Sequence, residues 1–273
     1  MLLRRARKRD HGGASPPQRH TVRKERMSLS SQMVREKVRR YWDWRAESFR
    51  ADIAATPDRD AWLAVYANAT ERLFPETPEP LRVLDVGTGT GFVAIAFAEL
   101  GHEVVAVEPA PAMREIAAKE FADAGVRVDL RDGYAFPLPD LGAGFDLVTC
   151  RNVLWTLTDP VAALREWRGV LRPGGAVLLS DGMWNTWRQE ARLLRTGWRS
   201  RADAPVGWRF LAAYLRLRRG LPYYRGIDYT RADRLLREAG YQSPLRLDHL
   251  MDRGFYEPET IDAHCLAAAW APR

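Results

Sequence analysis

A short apolar run, Val83-Leu84-Asp85-Val86, leads straight into Gly87-Thr88-Gly89-Thr90-Gly91, and a longer one, Phe92 to Ala98, follows at once. Such a pattern predicts a buried strand, a tight turn and the start of a helix. The same alternation then recurs. Val104 to Val107 reads as a second strand ending at Glu108, and Pro109 to Ala124 as a helix closed by Gly125. A third strand is expected over Val126 to Leu130 and a fourth over Phe145 to Cys150. Asp159-Pro160 supplies an N-cap and a first-turn proline for a helix burying Leu164, Trp167 and Leu171, and Ala176 to Ser180 reads as a fifth strand. Five alternations imply a parallel sheet with right-handed crossovers. Ligands of such sheets lie at the strands' carboxyl ends. There the sequence places Asp85 to Gly91, Glu108, Asp132, Cys150-Arg151-Asn152 and Ser180-Asp181.

The flanks follow other periods. Ser31 to Ile53 and Arg59 to Leu73 carry apolar residues at helical spacing, and Pro75, Pro78 and Pro80 end that region. Tyr41-Trp42-Asp43-Trp44 puts three aromatics in four residues, more than one apolar stripe hides. Leu100-Gly101-His102 ends a helix, and His102 is expected on a surface turn. Residues 182–229 break the alternation with stripes such as Trp187, Ala191, Leu194 and Trp198. Thr230 to Ala239 reads as a last helix, and Leu245 to Leu250 with Asp262 to Trp270 as a terminal hairpin. The expected fold class is α/β: a Rossmann-like, doubly wound, mostly parallel sheet of about seven strands, with a C-terminal antiparallel hairpin and a helical cap. Its divisions are a basic tail (1–28), an N-terminal helical cap (29–80), a core (81–181), a helical insertion or substrate cap (182–229) and the C-terminal part of the core (230–273).

Charge changes the picture only at one end. The formal net charge is +7, and residues 1–26 hold nine Lys/Arg against Asp10 and Glu25, so the rest of the chain is balanced. A tail of that composition is expected to be disordered and solvated. Two cysteines, Cys150 and Cys265, are too few for a disulfide framework, and nothing has metal-ligand spacing. No apolar run is long enough to span a membrane and no secretory leader is evident, so a cytoplasmic setting is expected.

The chemistry sits at the glycine turn. Glycines allow positive φ and close ligand approach. The helix behind them presents free N–H groups and a partial positive charge. Glu108, ending the next strand, suits a carboxylate that accepts from two ribose hydroxyls. Phe92 stands where a dinucleotide fingerprint wants its third glycine, and Asp85 repels pyrophosphate but can hold an amino group. A cationic amino-acid nucleoside fits better than NAD.

The stretch from about Leu81 to Asp181 resembles the core of class I S-adenosylmethionine-dependent methyltransferases, in particular the small-molecule group that includes ubiquinone- and menaquinone-pathway enzymes. Arg237-Glu238-Ala239-Gly240-Tyr241 adds to the likeness. The resemblance implies that Gly87, Thr88, Gly89 and Gly91 shape the turn beside the methionine part of the cofactor. Asp85 would then hold its amino end, Glu108 the ribose and Arg151 the carboxylate. Pro109, Met113, Asp132 and Gly133 would surround the adenine. Cys150-Arg151-Asn152-Val153 departs from the Pro-Pro-aromatic motif of nucleic-acid and protein-glutamine methyltransferases, so a small-molecule substrate is expected, with neither nucleic acid nor membrane as partner.

Methyl transfer from a sulfonium needs mainly alignment and exclusion of water. A base adds rate only if the acceptor carries a proton. Candidate bases are Tyr41, Asp181, His249 and His264, the two histidines falling in terminal strands away from the pocket mouth. Candidate substrate contacts are Tyr41, Trp42, Trp155 and Trp184. Two other readings remain: an NAD(P)-dependent oxidoreductase, and a nucleic-acid-binding protein acting through the basic tail.

Overall fold

The computed structural model describes residues 28–54, 59–76, 80–183, 216–251 and 264–272. Five parallel strands form its centre: β1 (Arg82–Val86), β2 (Glu103–Glu108), β3 (Val128–Asp132), β4 (Phe145–Arg151) and β5 (Leu171–Gly182). β6 (Gln242–Arg246) and β7 (His264–Trp270) complete a seven-stranded sheet of order β3-β2-β1-β4-β5-β7-β6. β7 is antiparallel to both neighbours. The chain winds outward from β1 through β2 to β3, then returns to place β4 on the other side of β1. That reversal opens a crevice above the carboxyl ends of β1 and β4.

Helices cover both faces: α1 (Leu29–Ala54), α2 (Arg59–Leu73), α3 (Phe92–Glu99), α4 (Pro111–Asp123), α5 (Pro160–Val170) and α6 (Tyr229–Glu238). Successive strand residues point to opposite faces, so each strand feeds two cores. Val86, Val148, Leu179 and Ala267 pack with Trp167 and Leu235, whereas Val83, Leu147, Leu178 and Leu266 pack with Trp62, Tyr66 and Phe97. Asp159 caps α5 as its sequence predicts, accepting from the Ala162 N–H at 2.9 Å.

Several boundaries differ from expectation. β3 starts at Val128 because the Val126 N–H closes α4 by donating to the Phe121 carbonyl at 3.1 Å. α4 starts at Pro111, since Ala110, preceding a proline, is held extended (φ −84°, ψ 117°). β5 runs on to Gly182 because β7 pairs along it as far as His264. The edge strand ends at Arg246, and Asp248–Leu250 form a single 3-10 turn in which Asp248 accepts from the Leu266 N–H at 2.6 Å. His102 is buried rather than on the surface: its Nδ1 accepts from the Leu81 N–H at 3.3 Å, and its ring lies against Phe97. The tail and the aromatic stripes from Trp184 to Trp208 lie outside the described residues. Among the described residues no helix is long and apolar enough to cross a membrane.

Candidate functional site

The glycine turn is hooked onto the neighbouring strand. Gly87 and Thr88 both donate their N–H groups to the Val107 carbonyl, at 2.8 and 3.1 Å. Gly89 (φ 57°) then donates to Glu108 Oε2 at 3.0 Å, and Ala110 to Glu108 Oε1 at 2.8 Å. A Cβ at Gly89 would point toward Phe49 of α1, 3.7 Å away. Gly91 (φ 92°) has a different task. It caps α3, and a Cβ there would stand 2.5 Å from the Phe121 ring of α4, so glycine lets the two helices meet.

Two buried carboxylates face this turn. Burial pushes Asp85 and Glu108 each up to about 7, with Ala110 and Gly89 N–H groups holding Glu108 back from a larger shift. Thr88 lies near enough to restrain Asp85 in the same way. Even so, neither Asp85 oxygen nor the Thr88 hydroxyl meets a partner at hydrogen-bonding geometry. Unsatisfied buried acceptors of this kind are costly, and a cationic donor relieves them. Arg151, ending β4, lies over the rings of Phe92 (4.6 Å) and Trp62 (4.8 Å) and contributes positive charge toward Asp85.

These groups line one cavity, about 990 Å³ of space that opens to solvent. Asp85, Gly87, Thr88, Gly89, Glu108, Pro109, Met113 and Arg151 form its inner wall. The outer wall is α1, through Arg35, Val38, Arg39, Trp42, Phe49 and Ile53. Asp43 fastens that helix down by accepting from the Ala112 N–H in the first turn of α4 at 2.8 Å. Trp42 meets Phe49 and Trp155 edge-on, at 5.3 and 6.2 Å. Asn152, Val153, Thr156 and Leu157, after β4, close the third side.

Other expected residues stand elsewhere. Gly91 lies behind the turn. Asp132 is exposed and ion-paired to Arg114 at 2.9 Å, and Gly133 packs against Pro139 and Val107, so neither lines the cavity. Tyr41 and Trp155 belong to the core beneath α1 because Trp42 takes the cavity-facing position, and burial raises the Tyr41 hydroxyl to about 12. Asp181 is buried and accepts from the Gly182 N–H at 2.8 Å. His249 is exposed on the 3-10 turn. His264 is not remote from the pocket end of the sheet: it pairs with Gly182 at the carboxyl edge, and burial and the charge of Arg151 lower it to about 4. None of the four candidate bases lines the cavity. Trp184 lies outside the described residues. Asn152 lines the cavity as its place at the end of the fourth strand predicts, whereas sequence reasoning missed Arg35, Arg39, Phe49, Tyr134 and Thr156 as cavity residues. Phe49 carried a signal as an aromatic two helical turns after Trp42 on the same stripe, but nothing local marks the others.

Comparison with known proteins agrees with this geometry. Residues 84–179 match the family described as "Methyltransferase domain". A ubiquinone biosynthesis O-methyltransferase from Xanthomonas axonopodis pv. citri is 39% identical over 104 residues, covering 38% of this chain and 44% of that protein. An uncharacterized methyltransferase from Mycobacterium sp. (strain JLS) is 40% identical over 134 residues, covering 49% and 48%. The chain thus spans less than half the length of these curated relatives. A crystal structure of a SAM-dependent methyltransferase from Aquifex aeolicus shares the fold, with TM-score 0.54 and 15% identity over 81% of this chain and 97% of that one.

Proposed function

We propose that this chain, in which residues 84–179 form a class I S-adenosylmethionine-dependent methyltransferase domain, transfers a methyl group to a small, aromatic or apolar metabolite. The observation that carries the reading is the meeting of Gly89 with Glu108 beside the unsatisfied Asp85 carboxylate in one cavity. The residues fit the cofactor's chemistry. Asp85 offers buried oxygens for an ammonium group, Glu108 keeps lone pairs for ribose hydroxyls, and Arg151 faces the same space with a guanidinium for a carboxylate. Pro109 and Met113 supply apolar contact for a base. When bound, S-adenosylmethionine supplies a methyl on a sulfonium, an electrophile that needs no activation by the protein.

The chain's part is alignment. Trp42, Phe49, Val38 and Leu157 wall the outer half of the cavity against water and give a planar or apolar acceptor a place to lie. Holding two reactants in line supplies about 7–11 kcal/mol. Tyr41, Asp181, His249 and His264 all stand outside the cavity lining, so none of these four is placed to take a proton from the acceptor. Two free, buried cysteines suit a reducing cytoplasm.

Calorimetric titration tests the reading: S-adenosylmethionine or S-adenosylhomocysteine should bind in the micromolar range, and NAD(P)H should not. Binding of the nicotinamide cofactor alone would favour the oxidoreductase reading instead.

A further inference from the structure

Asn152 departs from its surroundings in two ways. Among the described residues it is one of two, besides glycines, with a left-handed backbone (φ 60°). It also lines the cavity, yet its side-chain amide makes no hydrogen bond among the described residues. A left-handed conformation strains most L side chains, and asparagine bears it better than others. Glycine adopts it with no steric cost. Were the turn alone at stake, glycine would serve here as it does at Gly87, Gly89 and Gly91.

The position is held on every side. The Asn152 N–H donates to the Ser180 carbonyl at 2.8 Å, one step past the Arg151–Ser180 pair that ends the pairing of β4 with β5. The chain then enters the single 3-10 turn Leu154–Thr156. There the Thr156 hydroxyl and N–H both donate to the Val153 carbonyl, at 2.6 and 2.9 Å. Before Asn152 comes Arg151, lying over Phe92 and Trp62. After it comes Val153, so close to the glycine turn that a Cβ on Gly87 would stand 2.7 Å from Val153 Cγ2. Asn152 is thus fixed between two residues of the cofactor half, on a segment that Leu157 carries on to the outer half.

A primary amide offers two N–H donors and a carbonyl acceptor, and no charge. It matches a neutral group that both gives and takes a hydrogen bond. Trp42 and Leu157 supply apolar contact but little direction, and an amide held in one place supplies direction. We propose that Asn152 selects and orients the acceptor, its amide hydrogen-bonding an uncharged hydroxyl or carboxamide borne by an otherwise apolar or aromatic molecule. The inference rests on the methyltransferase reading and adds a specificity-determining residue to it.

The test uses the full chain saturated with S-adenosylhomocysteine. Matched aryl alcohols, aryl carboxamides and aryl methyl analogues are titrated by ligand-observed NMR against the wild type and Asn152→Gly. Glycine keeps the left-handed turn and deletes only the amide, so the melting temperature should hold. At least one polar series should bind about three- to tenfold more weakly to the variant, the worth of a neutral hydrogen bond. The methyl analogues should bind both proteins within about twofold. S-adenosylhomocysteine affinity, measured in the same samples, should be unchanged. Equal loss in all three series, no loss in either polar series, a fall in S-adenosylhomocysteine affinity, or no binding of either polar series to the wild type would each overturn the proposal. Failure of S-adenosylhomocysteine to bind the wild type would instead overturn the cofactor reading beneath it.

Discussion

Glu108 reaches across from the end of β2 to the N–H of Gly89, 3.0 Å away, and its other oxygen takes the N–H of Ala110 at 2.8 Å. The carboxylate proposed to hold the ribose is therefore also the brace of the glycine turn. A group with two tasks should respond differently to two substitutions. Glu108→Gln keeps the shape but replaces one accepting oxygen with an N–H₂ that opposes a backbone donor. Each lost charged bond is worth about 1.5–3 kcal/mol, so S-adenosylhomocysteine affinity should fall by about tenfold to a hundredfold in calorimetry. Glu108→Ala removes the brace as well, and its melting temperature without ligand should fall below that of the glutamine variant. An alanine variant that binds like the wild type would remove the ribose assignment.

Burial raises both Asp85 and Glu108 to about 7, well above the ordinary carboxylate range. A carboxyl whose folded pKa exceeds its unfolded value favours the folded state most fully at low pH. That contribution fades as pH rises through the folded value. The ligand-free protein should therefore lose stability between about pH 4 and 7. Cofactor binding has the opposite sign, because an ammonium and two hydroxyls prefer ionised carboxylates. Affinity for S-adenosylhomocysteine should rise with pH over the same window, by up to tenfold per unit for each titrating group. Titrations at pH 5.5, 6.5 and 7.5 check this, and Asp85→Asn should flatten the curve. A flat wild-type curve would mean that neither acid changes protonation on binding.

Gly91 should be sensitive for reasons of packing alone. Its φ of 92° strains any L side chain, and a Cβ would lie 2.5 Å from Phe121. Gly91→Ala must displace the Phe121 ring or the helix that carries it and should cost about 1–3 kcal/mol in chemical denaturation. Gly89→Ala is the control. Its φ is also positive, at 57°, but the added carbon meets only Phe49 at 3.7 Å, so it should cost less stability and act mainly on cofactor affinity.

The central layer was legible because each of its signals is local. Val83 to Gly91 states strand, turn and helix within nine residues, and Asp159-Pro160 caps a helix by its own chemistry. Glu108 beside Gly89 also follows from short-range facts, since two adjacent parallel strands must bring their carboxyl ends together. What stayed hidden depends on long-range packing. Helical spacing identified α1 but could not say that Arg39 and Trp42 face a cavity while Tyr41 faces the core. Asp132 illustrates the same limit: its place at a strand end was right, yet Arg114 from α4 draws its carboxylate outward. His264 was misjudged because β7 is antiparallel, so the residue that begins it sits at the edge where the parallel strands end.

Asp43 offers a way to test whether α1 governs access to the cleft. Its Oδ1 accepts from the Ala112 N–H at 2.8 Å, an acidic cap supplied to α4 by another helix. Met113, the next residue on α4, belongs to the inner wall of the cavity, so one bond links the outer wall to the inner one. Losing such a cap costs about 0.5–2 kcal/mol. If that loss falls on the docked position of α1, Asp43→Ala should speed S-adenosylhomocysteine dissociation by about two- to thirtyfold. Stopped-flow displacement measures the rate. Equilibrium denaturation separates this from general destabilisation, since opening α1 withdraws Tyr41 from one core but leaves the sheet and its packing against Trp167 and Leu235 in place. An unchanged dissociation rate beside a lowered melting point would show that Asp43 serves only the stability of α4.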